Sequence, residues 1–182
     1  AVPSKTTMPI LECILIDASK GVISLTANDM ELGIETIVDG DIVEPGVVAI
    51  DAKFLLEIVR KLPDNFVVIS TDSSYKTSIT CEKAKFDIAG KSGDDFSKLP
   101  VISKNEFIVL RQFTLKDLVR QTIFSIADND NNKMMTGELF QIEGNRLKVV
   151  SLDGHRISIR KVDLREEYTN RKVVVPGKTL NE

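Results

Sequence analysis

Short apolar runs, each bounded by turn-forming residues, follow one another down the first half of this chain. Residues 11–16 form the first strand-like run, and Lys20 and Gly21 turn it back into residues 22–26, a hairpin pattern. A turn at Ala27, Asn28 and Asp29 leads into residues 30–38, which alternate apolar and polar as a strand does. After Asp39, Gly40 and Asp41, residues 46–50 predict a further strand. Asp51 can cap a helix over residues 52–61, which Leu62 and Pro63 close. That helix is expected to bury Phe54, Leu55, Ile58 and Val59. Residues 66–70, 76–81 and 85–89 predict three more strands, and the stretch from Ser92 to Pro100 reads as an irregular link. Residues 107–110 open a second series. It continues with a predicted helix over 113–126, where Leu115, Leu118, Val119, Thr122, Ile123 and Ile126 recur at helical spacing and Thr114 is placed to cap.

The second series repeats the first. Residues 11–26 lie over residues 135–150 without a gap, so that Leu15 falls on Leu139, Ile16 on Phe140, Ile23 on Leu147, Leu25 on Val149 and Asp29 on Asp153. Residues 48–53 fall on 173–178 at nearly the same offset. A period of about 124 residues is too long for a solenoid unit and has the length of a domain. The pattern therefore predicts two copies of one α+β domain with antiparallel sheets and helices on one side. We place them at residues 1–104 and 105–182. Counting back from the second-copy helix puts its first-copy counterpart before Ala1. The second copy reaches Glu182 where its next helix is due. On this reading the chain holds most of one domain and about half of another.

Composition narrows the classes. The chain has 182 residues, is 42% hydrophobic and 28% charged, and carries a net charge of −3, a globular profile without a membrane-length apolar run. Cys13 and Cys81 lack CxxC spacing and sit in or beside strand-like runs, so free, buried, reduced thiols and a cytoplasmic setting are expected. The single histidine excludes a His-rich metal site. Asp153 and His155 lie two residues apart without a Ser or Cys nucleophile motif or a phosphate-cradling glycine loop, which argues against an enzyme. Neither a metal nor a cofactor is expected. Two helices carry modest basic stripes, Lys53 with Arg60 and Lys116 with Arg120. By themselves they are ordinary solvated faces. Arranged around an axis they would suit phosphate backbone.

Residues 151–157, reading Ser-Leu-Asp-Gly-His-Arg-Ile, resemble the TDGHRL motif of the bacterial β sliding clamps, the DNA polymerase III beta subunits. Thr7 to Leu11, Ile23 to Thr26 with Asp29, Asp94-Asp95-Phe96 followed by Leu99-Pro100, and Val173 to Lys178 are similar to that family in order along the chain. The resemblance implies a clamp fold with sheets outside and helices lining a channel. It implies a head-to-tail homodimeric ring around duplex DNA, a non-catalytic processivity role, and a bacterial, nucleoid-associated location in the cytoplasm. The implied partners are the replicative DNA polymerase, the clamp loader and other proteins carrying a clamp-binding motif. A sheet-built interaction scaffold that does not bind DNA is the alternative.

The resemblance also implies sites. A partner-peptide pocket falls on Met135, Leu152, Gly154, His155, Arg156 and Ile157, with Asp153 bracing the turn. Leu152 stands where the family usually has threonine, which makes the rim more apolar. DNA contacts fall on Lys5, Asn129, Lys133 and Met134. Some relatives have tyrosines at the last two positions, so charge replaces stacking here. Phe86 falls on a ring-interface position, with core packing as the alternative.

Overall fold

Asp51 marks the place where sheet gives way to helix. In the computed structural model, which describes residues 1–3, 6–102, 107–128 and 132–182, it ends a strand and its side chain accepts the Phe54 N–H at 3.0 Å. That bond satisfies one of the open donors of the first helical turn. Lys5 and Asn129, two of the expected DNA contacts, lie outside the described residues. The chain divides into two compact units, Ala1–Pro100 and Val101–Glu182.

In the first unit the strands are β1 (Cys13–Asp17), β2 (Ile23–Asn28), β3 (Gly33–Val38), β4 (Val47–Asp51), β5 (Val68–Thr71), β6 (Lys76–Cys81) and β7 (Ala84–Ser92), with α1 (Ala52–Val59) after β4. They form a seven-stranded antiparallel sheet in the order β3-β2-β1-β4-β7-β6-β5. Strand β7 is long because it pairs twice, with β6 as far as Ala89 and with β4 from Gly90 onward. Leu55 and Ile58 of α1 pack on Ile16, Val48, Ile50 and Ile79, and each such side chain stabilises by roughly 1.5–3 kcal/mol when fully buried. Cys13 and Cys81 are free and buried.

Three local expectations are corrected. Leu11 is buried in a 3-10 turn, Pro9–Glu12, and the strand starts only at Cys13. Met30 does not begin a strand: its φ of 74° belongs to a tight turn, and β3 starts at Gly33. The helix ends at Val59, and Phe54 and Val59 are exposed by 57% and 54%. The sheet covers only the line Ala52, Leu55, Ile58. Phe54 stands about 100° round from its neighbour Leu55, and Val59 is the last helical residue.

The second unit contains α2 (Gln112–Arg120), β8 (Gly137–Leu152), β9 (Ile157–Pro176) and α3 (Gly177–Asn181). The helix predicted over 113–126 is broken. Arg111 occupies the cap position without a side-chain bond, and Thr114 lies inside the first turn. Near the end of α2 the buried Thr122 hydroxyl donates to the Leu118 carbonyl at 2.8 Å, and the Ser151 hydroxyl donates to the Thr122 carbonyl at 2.5 Å. The Thr122 carbonyl is thereby engaged from the sheet, and the chain continues as a 3-10 turn, Ile123–Ser125. A second core joins Leu118, Phe140, Ile142, Leu147, Val149 and Leu164.

The repeat holds at the level of pairing. Asn28 faces Gly33 and Cys13 faces Asp51 in the first unit; Leu152 faces Ile157 and Gly137 faces Pro176 in the second. The β8–β9 ladder slips between Ile142 and Gly144 and again between Gly144 and Arg146. The buried positions change phase there, from Phe140 and Ile142 to Leu147 and Val149, which a change of register accommodates. Among the described residues no helix is long and apolar enough to cross a membrane.

Candidate functional site

The turn between β8 and β9 is built by one carboxylate. Asp153 Oδ1 accepts the His155 N–H at 3.0 Å and the Arg156 N–H at 3.1 Å, while the Asp153 N–H donates to the Arg156 carbonyl at 3.3 Å. Arg156 Nε–H donates to Asp153 Oδ2 at 2.8 Å. Gly154 takes a φ of 88° with open space where a Cβ would be, a conformation that favours glycine. The His155 N–H bond, assisted by the Arg156 side chain and N–H, holds the Asp153 carboxyl below the usual aspartate range. Asp153 therefore braces the turn. His155 and Arg156 are exposed. The guanidinium carries five N–H donors, one of which is committed to Asp153.

Leu152 and Ile157 face each other across the ladder, and Val150 faces Ile159 one pair further in. Directly opposed residues share a sheet face, as do positions two apart along a strand. Leu152, Ile157, Val150 and Ile159 therefore make one apolar strip beside the turn. Ile157 and Ile159 are 59% and 47% exposed. The other face turns inward at Val149 and Ser151, which are buried, and Ser158 shares a 2.6 Å hydroxyl contact with Ser125. Val150 and Ile159 were missed from the sequence, although the period-two alternation around Leu152 and Ile157 pointed to them. An apolar strip rimmed by a polar turn can take an extended peptide with aliphatic side chains.

Met135 is half-buried in the 3-10 turn Lys133–Thr136 that leads into β8. Its N–H donates to the Asn132 carbonyl, and its carbonyl accepts the Ala127 N–H, both at 2.9 Å. Among the described residues no hydrogen bond ties it to the Asp153 turn. Lys133 and Met134 are exposed in the same short turn, Met134 by 65%. The Asn132 side chain caps it by accepting the Met134 N–H at 3.1 Å.

The basic stripes are unequal. Lys53 and Arg60 are both exposed at α1. On α2, Arg120 donates to Asp117 at 2.8 Å, and this bond is the first cause of the lowered Asp117 carboxyl. That pairing reduces the positive field at Lys116 and Arg120. Phe86 is half-buried, packs against the first core and lies opposite Ile79, which is fully buried.

Residues 1–100 match the family model of the DNA polymerase III beta subunit, N-terminal domain, and residues 109–182 match that of its central domain. The beta sliding clamp of Staphylococcus epidermidis is 36% identical over 190 aligned residues, covering 100% of this chain and 50% of its own length. A crystal structure of a putative DNA polymerase III beta subunit from Eubacterium rectale is 70% identical with a TM-score of 0.94, covering 100% of this chain and 50% of that one. The DNA polymerase sliding clamp of Bacillus subtilis is 35% identical with a TM-score of 0.90, at the same coverage. The chain thus spans about half the length of the relatives it matches. With both units matched in order, it belongs to the DNA polymerase III beta subunit family.

Proposed function

We propose that the chain serves a DNA sliding clamp, a ring that encircles duplex DNA, tethers the replicative polymerase and performs no chemistry of its own. The observation that carries the reading is the match to an N-terminal and then a central beta-subunit domain within one chain. The net charge of −3 fits it, because loose phosphate contacts from a few helix residues allow sliding where a strongly basic surface would grip. Lys5, Asn129, Lys133 and Met134 are the proposed DNA contacts, and Phe86 the proposed ring-interface residue. The complete protein is expected to form a ring-sized homodimer that stays on circular DNA and runs off linear ends. Equal retention on both would sink the ring and leave a sheet-built scaffold in its place.

Within this reading, the Asp153 turn and its apolar strip receive the peptide motif of the polymerase, the clamp loader and other partners. Leu152 and Ile157 take the aliphatic side chains, Met135 adapts to varied ligands, and His155 with Arg156 holds peptide carbonyls or carboxylates. A synthetic Gln-Leu-Ser-Leu-Phe peptide is expected to bind and to lose affinity in Arg156→Ala and Ile157→Asp. Unchanged affinity in both variants would remove the site.

A further inference from the structure

Beyond the apolar strip, the same face of the β8–β9 ladder carries lysines. The ladder runs without a slip from Leu152 back to Arg146, so successive pairs alternate between its two faces. Leu152 with Ile157 and Val150 with Ile159 make the strip. The next pair on that face is Lys148 with Lys161, and the one after it is Arg146 with Asp163. Arg146 Nε–H donates to Asp163 at 3.2 Å, which neutralises that last pair. Lys148 is half-buried and Lys161 exposed, and among the described residues neither makes an ion pair. Like charges set directly opposite each other are unfavourable in a sheet. The repeat adds a further lysine. In the first unit Ile37, Ser24, Asp17 and Val47 are paired in one row across the strands. Their counterparts are Lys161, Lys148, Gln141 and Lys172, and Lys172 faces Gln141. Glu143, two residues from Gln141, accepts a bond from its side-chain amide. One carboxylate beside Lys148, Lys161 and Lys172 leaves the row positive.

We propose that this lysine row reads an acidic residue in the peptide docked on the strip, placed two positions from one of its aliphatic residues. The inference rests on the docking role proposed for the strip and names the chemistry of the partner. Pairs on one sheet face recur every two residues, roughly 6.6 Å apart, and alternate side chains of an extended peptide recur at the same interval. Aliphatic side chains over Leu152–Ile157 and Val150–Ile159 therefore bring the next same-face side chain over Lys148 and Lys161. A carboxylate there meets two ammonium groups that otherwise repel each other. A lysine there meets only like charge, so the row excludes basic peptides as well as favouring acidic ones. Phosphate backbone would leave both apolar pairs uncovered, which makes a peptide the favoured occupant.

The test is calorimetric titration of the whole chain with peptides blocked at both ends. They are Gln-Leu-Ser-Leu-Phe, the same peptide with Asp after Phe, the same with Asp before Gln, and both extended forms with Lys for Asp. Each addition lies two positions from a leucine, so the one that gains also gives the direction in which the peptide runs. At low salt one acidic peptide is expected to bind about three- to tenfold tighter than the plain one, and its lysine counterpart more weakly. The gain is expected to vanish in Lys148→Gln/Lys161→Gln, to survive in Lys148→Arg/Lys161→Arg and to shrink at high salt. Lys161→Glu alone is expected to turn the preference towards the lysine peptide. Circular dichroism checks the fold of each variant. Equal binding of the plain and acidic peptides, or a gain that persists in the glutamine variant, would overturn this inference and leave the docking role standing. If none of the peptides binds, the docking role fails and this inference fails with it. A duplex oligonucleotide that weakens in the glutamine variant, while the acidic peptides gain nothing, would hand the row to phosphate backbone.

Discussion

Met30 and Gly154 hold the same left-handed backbone conformation, with φ of 74° and 88°, one residue after the carboxylates that build the two equivalent turns. Only one of them is a glycine. A residue with a Cβ is penalised in this region by roughly 1–2 kcal/mol, while glycine is disfavoured by its greater freedom when unfolded, at roughly 0.5–1 kcal/mol. Met30→Gly is therefore expected to stabilise the first unit by about 0.5–1 kcal/mol, and Gly154→Ala to destabilise the second by about 1 kcal/mol. Urea unfolding followed with probes in each unit measures both. A loss of stability in Met30→Gly would contradict the conformational account.

Asp153 makes the second turn sensitive to acid. Its carboxyl is held below the usual aspartate value, first by the His155 N–H and then by Arg156. A lowered pKa in the folded state contributes stability that is present above the unfolded value and is lost as pH falls through the folded one. The turn should therefore loosen only in acid, below the ordinary aspartate range. Side-chain carboxyl NMR titration is expected to place Asp153 below a free aspartate, and Arg156→Ala to raise it part of the way. An Asp153 titrating at the ordinary value would refute the assignment.

Glu138 has the opposite character. It is fully buried, neither carboxyl oxygen has a hydrogen-bond partner among the described residues, and burial pushes its pKa up. The neighbouring Thr122 hydroxyl pulls it down less, its own proton being committed to Leu118. In the first copy Ile14 stands at the matching position. Because the folded state holds this proton more tightly than the unfolded chain does, stability falls as pH rises above the unfolded glutamate value. Glu138→Ile is expected to stabilise the second unit at neutral pH by about 1–3 kcal/mol, the cost of an unsatisfied buried polar group. Glu138→Gln should flatten the pH dependence. Thermal unfolding between pH 4 and pH 8 tests both, and an unchanged slope in Glu138→Gln would rule the group out.

Two glycines leave no room for a side chain. A Cβ on Gly90 would lie 2.7 Å from the Tyr75 carbonyl, and one on Gly137 would lie 2.5 Å from the Val175 carbonyl. Backbone atoms cannot swing aside as a leucine tip can. Gly90→Ala and Gly137→Ala should each cost about 1–3 kcal/mol, the first in the first unit and the second in the second. Hydrogen exchange resolved by residue would show whether each loss stays within its own unit.

Ile159 tests the apolar strip independently of the recognisable motif. It shares a face with Ile157 and is exposed. Ile159→Asp is expected to weaken binding of the Gln-Leu-Ser-Leu-Phe peptide by about tenfold or more without loss of fold by circular dichroism. Full affinity in this variant would confine the site to the turn.

Some of this is legible in the residue order itself. The alternation in residues 22–26 and 76–81, the Asp51 cap and the equivalence of Asp29 with Asp153 are written in local residue types, because strand faces and helix starts depend on neighbours a few positions away. The motif around Gly154 drew attention to the turn for the same reason. The strip from Val150 to Ile159 was only half seen, since its membership depends on which residues the ladder sets opposite one another.

Sequence alone determined the order of strands and helices, the repeat and the residues able to build each turn, all properties of chemistry spaced along one chain. Tertiary structure decided what those pieces meet. It ended α2 early through a serine hydroxyl from β8, and left Phe54 and Val59 exposed because the sheet covers only one line of α1. It also brought Leu99 against Gly33. Two turns with the same local code have different neighbours because one is reached by a segment some seventy residues further along. Contacts of that range are set by how the chain packs, and no local pattern encodes them.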